Sequence, residues 1–305
     1  MDEIDNLKFI EKPPLRNPYL ICGLNGWLNS GDVAVGGIKY LIEHFNATPF
    51  AEIQTSRYHV YQIPGVHSAR PVFKMEDGVI KETDFPKNQF YYAGNPSSDH
   101  DIILLLGTEP NLYWEEYGDT VVTLSRELGV TRIYTFGAIY DRSPYNREPH
   151  ITCTCTGGKI RDEMVKYNVT MSSREGMATI NLMLLYAFQK SGLDGVNLTV
   201  RVPYYPEFNV GLDYSPRSVK AVLERLNHLM KMGIDFSNLN KEISEIEDKL
   251  DDIRKKNAEF NTYLEELEKN YTETPYQEPF DISPDEALRF AEELLKDNRD
   301  RKQNE

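Results

Sequence analysis

Cysteine is scarce in this chain, with three in 305 residues, an odd number that gives no disulfide framework. Long apolar runs are missing too: none approaches the roughly 20 residues that a membrane-spanning helix needs. The start, Met1-Asp2-Glu3-Ile4-Asp5, lacks the basic and apolar segments of a secretory signal, so a soluble, cytoplasmic protein is expected. Basic residues are outnumbered, 34 Lys and Arg against 48 Asp and Glu, for a formal net charge of −14. That balance argues against a general nucleic-acid or anionic-membrane binder, which needs a basic face. The Gly-x-Ser-x-Gly elbow, the His-Glu-x-x-His helix, the Rossmann fingerprint and the Gly-Lys-Ser/Thr ending of a Walker loop are all absent from the sequence, so no cofactor is expected and catalysis is unsupported.

What is present is an alternation of short apolar runs with amphipathic segments. Tyr19-Leu20-Ile21-Cys22 reads as a buried strand, followed by a loop with Gly23, Gly26 and Gly31 and a helix from about Asp32 carrying Ala34, Ile38, Leu41, Ile42 and Phe45 on one face. Asp77-Gly78, between two alternating segments, marks a hairpin. The run Ile102–Leu106 is of buried-strand type and leads to a helix with Trp114, Tyr117, Val121, Leu124 and Leu128. Further strands are expected at 133–136, 151–155 and 198–202, with helices near Ile160, over Met177 to Phe188 and over Val219 to Met230. This order predicts an α/β fold whose largely parallel sheet is covered on both faces. The α/β domain is expected over residues 1–235 and a helical extension over 236–305.

The extension carries the clearest periodicity. Leu239, Ile246, Ile253, Phe260 and Leu267 recur every seven residues, and Ile243, Leu250, Asn257, Leu264 and Tyr271 form the offset series. This is the d and a seam of a coiled coil, with Asn257 as a buried amide that sets register. One continuous helix through this seam would make a rod of roughly 50 Å, and its apolar stripe must be covered. The seam predicts assembly with another copy or a protein partner. The competing reading is folding back, onto a final helix expected at Ser283–Lys296 or onto the domain's own surface.

Four blocks follow one another along the chain: Gly26-Trp27-Leu28-Asn29-Ser30-Gly31-Asp32; Leu106-Gly107-Thr108-Glu109-Pro110 with Trp114; Gly137-Ala138 leading to Ser143-Pro144-Tyr145-Asn146-Arg147-Glu148-Pro149; and Val202-Pro203-Tyr204-Tyr205. In this order they resemble the PAC2 family, named after proteasome assembly chaperone 2. The resemblance implies a three-layer α/β/α domain with a phosphorylase/hydrolase-like mixed sheet, found as a homo-oligomer, and a chaperone-like rather than enzymatic role. Ser30 stands where the family more usually has alanine, and Tyr145 and Tyr204 where histidine is common. The ending Gln303-Asn304-Glu305 lacks the hydrophobic-tyrosine-X tail of proteasome-binding relatives, so docking by that route is not expected.

A pocket at the carboxyl edge of the sheet is the alternative functional reading, for a nucleotide- or amino-acid-type ligand. Its candidate residues are Trp27 as a wall, Asn29 and Ser30 as hydrogen-bonders, Asp32, Glu109, Arg147 and Tyr204. Asn29, Ser30 or Asp32 could instead cap the following helix. Glu109 is either a general base raised by partial burial or the partner of Arg147 or Arg142 in a structural ion pair. Cys153 and Cys155 share a strand face and could meet a soft metal; without a His cluster or Cys-x-x-Cys they read as packing, and no metal is expected. His150 could join them.

Overall fold

The computed structural model describes residues 6–62, 70–273 and 276. In chain order its strands and helices are β1 Leu7–Phe9, β2 Tyr19–Asn25, α1 Val33–Phe45, β3 Thr48–Ile53, β4 Val72–Glu76, β5 Val79–Asp84, β6 Asn88–Ala93, β7 Ile102–Thr108, α2 Trp114–Glu127, β8 Arg132–Asp141, β9 Ile151–Cys155, α3 Gly158–Met164, β10 Thr170–Met171, α4 Ile180–Lys190, β11 Asp194–Tyr205, β12 Val210–Gly211, α5 Pro216–Met230, α6 Ser237–Lys256 and α7 Ala258–Asn270.

Ten strands form one mixed sheet in the order β1-β3-β6-β7-β2-β8-β11-β9-β10, with β12 paired to β11. Only the centre, β7-β2-β8-β11, is a continuous parallel block. The sheet is the mixed one that the family resemblance implied, and the largely parallel sheet suggested by the alternation is corrected: β6, β3 and β1 run antiparallel on one flank, and β9 runs antiparallel to β11 on the other. The connection from β6 to β7 spans only residues 94–101, too short for the crossover that parallel neighbours require.

Two apolar layers enclose the sheet, and the strands alternate between them. Val196, Leu198, Val200 and Val202 of β11 face a core shared with α1, α3 and α5. Leu20, Cys22 and Leu24 of β2 face a second core with α2 and α4. The amphipathic faces read from sequence are the buried ones, Ile38 and Leu41 on α1 and Val219, Val222 and Leu226 on α5. Met177 is an exception: α4 starts at Ile180, and Met177 lies outside it, 77% exposed.

The continuous seam helix is not observed. Asn257 leaves helical geometry (φ −128°, ψ 102°), and its side chain accepts the Phe260 N–H at 3.0 Å. Asn257 is thus the N-cap of α7 rather than a register-setting amide inside one helix. Across this break Arg254 bonds Asn261 at 2.7 Å and Glu268 at 2.8 and 3.2 Å, fixing the two helices at an angle. The expected rod is replaced by a pair of helices lying on the body. Leu250, Phe260 and Leu264 form a third core with Tyr145 and Tyr205, while Leu239 joins the core under α5. Ile243 is buried, Ile246 and Leu267 half-buried, and Ile253 at the turn is 40% exposed. Packing of the Phe260 ring into this aromatic cluster requires the turn, and Asn257 supplies a terminus that needs no other partner. The expected final helix at Ser283–Lys296 lies outside the described residues.

Candidate functional site

The first glycine loop leaves the carboxyl end of β2 in the middle of the parallel block. Asn29 organises it: its Oδ1 accepts the Val35 N–H at 3.0 Å, and its Nδ2 donates to Asp32 Oδ1 at 3.0 Å and Asn25 Oδ1 at 3.3 Å. Gly31 (φ +60°) and Asp32 (φ +50°) are both left-handed, which glycine tolerates and aspartate tolerates better than most. Asn29 thereby satisfies an otherwise orphan amide of α1, whereas Asp32 itself makes no capping bond. Ser30 is half-buried between them. Trp27 stands 58% exposed at the loop tip. Tyr204, near the end of β11, packs its ring 4.9 Å from that of Tyr140.

Glu109 follows β7 and reaches into the same loop. Its backbone N–H donates to Asn25 O at 2.8 Å, and its Oε2 accepts the Trp27 N–H at 2.7 Å. A side chain at position 26 would meet that carboxylate, since a Cβ there lies 2.1 Å from Oε2; Gly26 is what allows the carboxylate in. Burial pushes the Glu109 carboxyl above the usual range, and the Trp27 amide partly opposes it. The expected ion pair is absent. Arg147 pairs instead with Glu273 of the C-terminal segment at 3.1 Å, and Arg142 with Glu207 just after β11. A raised carboxyl makes the folded form hold its proton more tightly than the unfolded one. Its ionisation therefore costs stability as pH rises through the folded-state value, and costs nothing below the unfolded value. Glu109→Gln keeps an acceptor for Trp27 and removes this loss. Its stability relative to wild type should rise from acidic to neutral pH, read by urea unfolding at several pH values; a pH-independent difference would contradict the assignment.

The loop of residues 142–150 is a socket for the chain's last described segment. Tyr145 bonds Asp251, and Asn146 donates to Glu268 at 3.1 Å. Glu148 accepts from Arg225 at 2.7 Å, its backbone N–H donates to Glu273 at 3.1 Å, and its carbonyl accepts from the Tyr271 hydroxyl at 2.7 Å. His150 stacks on Tyr271 with centroids 4.4 Å apart and bonds Thr272 O at 3.0 Å. Tyr276 lies over the Arg225 guanidinium at 3.9 Å. His150 is engaged with the tail, not with the cysteine pair as one sequence reading had it. Sequence reasoning missed Arg225; its signal was a lone charge inside the apolar stripe Val219, Val222 and Leu226.

Cys153 and Cys155 do share a face, with sulfurs 3.6 Å apart. No group of three or more His, Cys, Asp or Glu suited to a metal occurs among the described residues. His59, His100 and His150 direct a ring nitrogen at a backbone carbonyl, so none of the three is set up as the base of a nucleophile by those bonds. No helix among the described residues is long and apolar enough to cross a membrane.

The candidate residues thus separate in space. Trp27, Asn29, Ser30, Asp32 and Glu109 form one cluster at the β2 and β7 ends, whereas Arg147 belongs to the socket.

Residues 23–254 match the model of the PAC2 family. The chain belongs to the PAC2 family. It is 24% identical over 260 residues to the uncharacterized protein MJ1210 of Methanocaldococcus jannaschii, covering 84% of this chain and 90% of that one. Among solved structures, the Mycobacterium tuberculosis proteasome-assembly chaperone homologue Rv2125 superposes with a TM-score of 0.71 at 23% identity, over 81% of this chain and 99% of its own. Pyrococcus furiosus PbaB, an archaeal proteasome activator, superposes with a TM-score of 0.62 at 22% identity, over 81% and 97% of the two chains. These likenesses show the PAC2 fold, and the family match runs through the socket into α6.

Proposed function

We propose that this PAC2 protein is a non-enzymatic, chaperone-like or scaffold protein that self-associates and binds a protein partner, in a cytoplasmic setting that keeps its three free thiols reduced. The names of its structural relatives, a proteasome-assembly chaperone homologue and a proteasome activator, support a role in protein assembly. The observation that carries self-association is the β4–β5 hairpin. It forms a two-stranded sheet of its own, and an isolated two-stranded sheet is marginal in water. Phe73, Met75 and Ile80 nonetheless stand 44%, 65% and 57% exposed, with Met75 opposite Ile80 and the Phe73 ring 6.0 Å from Phe85. A contiguous apolar face of this kind marks an interface, and among the described residues neither outer edge of the hairpin pairs with another strand, which leaves the edges as candidates for pairing with a second copy.

The test is solution mass by light scattering. Wild type should exceed the 35.2 kDa chain mass, and Phe73→Glu with Ile80→Glu should return it to that mass without loss of helical signal. A wild-type monomer at tens of micromolar, or an oligomer indifferent to both substitutions, would overturn the hairpin as the self-association surface.

A further inference from the structure

On the α4 side of the sheet, opposite the core under α1 and α5, a recess of about 270 Å³ opens beside the first glycine loop. Its floor is polar where the rest of that layer is apolar. Asn197 and Thr199 of β11 and Thr152 of β9 occupy it, brought together because residues two apart on a strand share a face and Thr199 is in register with Thr152. The floor is built rather than incidental. Asn197, 5% exposed, accepts from Thr135 at 3.0 Å and from Asn181 at 3.2 Å, and donates to Thr199 Oγ1 at 3.2 Å. That network fixes the amide and leaves the Thr199 hydroxyl hydrogen as a donor towards the recess.

Charge singles the recess out further. In a chain with net charge −14, the described residues lining it include two arginines, Arg174 and Arg201, and no Asp or Glu. Asp141 approaches Arg201 only at 4.0 Å, and Arg174 forms no ion pair with any described residue. Trp27 supplies a flat exposed wall at the mouth, suited to stacking on a ring.

We infer that this recess binds a small molecule combining a flat ring with an anionic group, held by the Arg174 and Arg201 guanidiniums, the Thr199 and Asn197 donors and the face of Trp27. Guanidinium pairs carboxylates and phosphates alike in bidentate fashion, so the anion is a carboxylate or a phosphate. The site lies apart from the hairpin proposed for self-association, and it shares only Trp27 with the pocket expected from the sequence. Asn29, Asp32, Glu109 and Arg147 do not line it.

Trp27 makes the test direct on the full-length protein. Emission is followed in a Trp114→Phe background, which leaves Trp27 as the sole tryptophan, while AMP, adenosine, benzoate and benzamide are titrated separately, so that phosphate and carboxylate sources are each set against a neutral counterpart. At least one anion should give saturable binding, with the neutral analogue at least tenfold weaker. Arg174→Gln, at an exposed position, should weaken that anion at least tenfold, equivalent to about 1.4 kcal/mol, while Lys87→Gln in the separate cleft beside β6 leaves it unchanged. The inference is overturned if neither anion saturates by about 10 mM, a concentration already beyond the weak millimolar range. Equal binding of anionic and neutral analogues, or binding indifferent to Arg174→Gln and Arg201→Gln alike, overturns it too.

Discussion

Glu148→Ala should cost about 3–5 kcal/mol of unfolding free energy, the range for breaking a buried ion pair from one side. The Arg225 side chain is 1% exposed and its carboxylate partner 19%. Without Glu148 the guanidinium keeps the Ala221 carbonyl at 3.0 Å and the Tyr276 ring at 3.9 Å, and its nearest remaining carboxylate is Glu224 at 4.0 Å, beyond hydrogen-bond distance. Urea unfolding monitored by far-ultraviolet dichroism reads the loss as a lower midpoint at unchanged slope. The double variant Glu148→Ala with Arg225→Met should recover much of the stability, because desolvating both charges offsets most of their mutual attraction. A single-variant loss below about 1 kcal/mol would place the pair with ordinary solvated surface pairs.

Phe260→Ala should be comparably severe, about 3–5 kcal/mol for removing a large aromatic side chain from a packed core. Phe260 is fully buried, its ring 5.3 Å from that of Tyr205 and 5.0 Å from that of Phe208. Loss of this ring removes the main anchor of α7, so limited proteolysis should newly cut the chain between residues 257 and 273. Ile253 is the control, since it occupies the same heptad series as Phe260 but is 40% exposed. Ile253→Ala should change stability by no more than about 0.5 kcal/mol. A straight seam between two chains would instead make both positions matter, and only in the oligomer. Equal and large effects at 253 and 260 would therefore contradict the folded-back arrangement.

The two residues also show where the sequence was legible and where it was not. Strand and helix faces were readable because burial obeys a period: two along β11, where Val196, Leu198, Val200 and Val202 go to one core, and nearly four along α1 and α5. A period says that a stripe is covered but not by what. Heptad spacing continues through Asn257 without a break, yet asparagine is both a tolerated a-position residue and a favoured N-cap. The aromatic cluster contributed by Tyr145, Tyr205 and Phe208 decides between them, and no local pattern reveals it. The alternation alone misjudged strand direction on the flanks for a related reason, because direction there depends on connection length rather than on the apolar pattern of each strand; the mixed sheet implied by the family resemblance is the one observed.

Within the candidate site, the Asn25 to Gly31 loop and Glu109 were identified as neighbours of the sheet's carboxyl edge, and the Trp27 amide joins them. The charge partners were not legible. Arg147 finds Glu273 across 126 positions of sequence, and Arg225 finds Glu148 across 77. Coulombic pairing between distant segments carries no spacing signature, unlike helical pairs such as Lys220–Glu224, so these partners become visible only once the chain has closed on itself. Arg174 and Arg201 went unremarked as well, since their significance lies in the lack of any Asp or Glu among the described residues lining the recess and not in any motif.

The Arg225 arrangement has a consequence for synthesis. At roughly 5–20 residues per second, Glu148 and Arg225 are made seconds before Tyr271 and Tyr276, which complete their surroundings. The nascent chain therefore spends that interval with its most deeply sequestered cation lacking the aromatic lid, and the final register of the body waits on residues near its far end. Premature termination anywhere between α5 and Tyr276 should leave a product that holds its sheet but opens at the socket, a natural target for quality-control proteolysis.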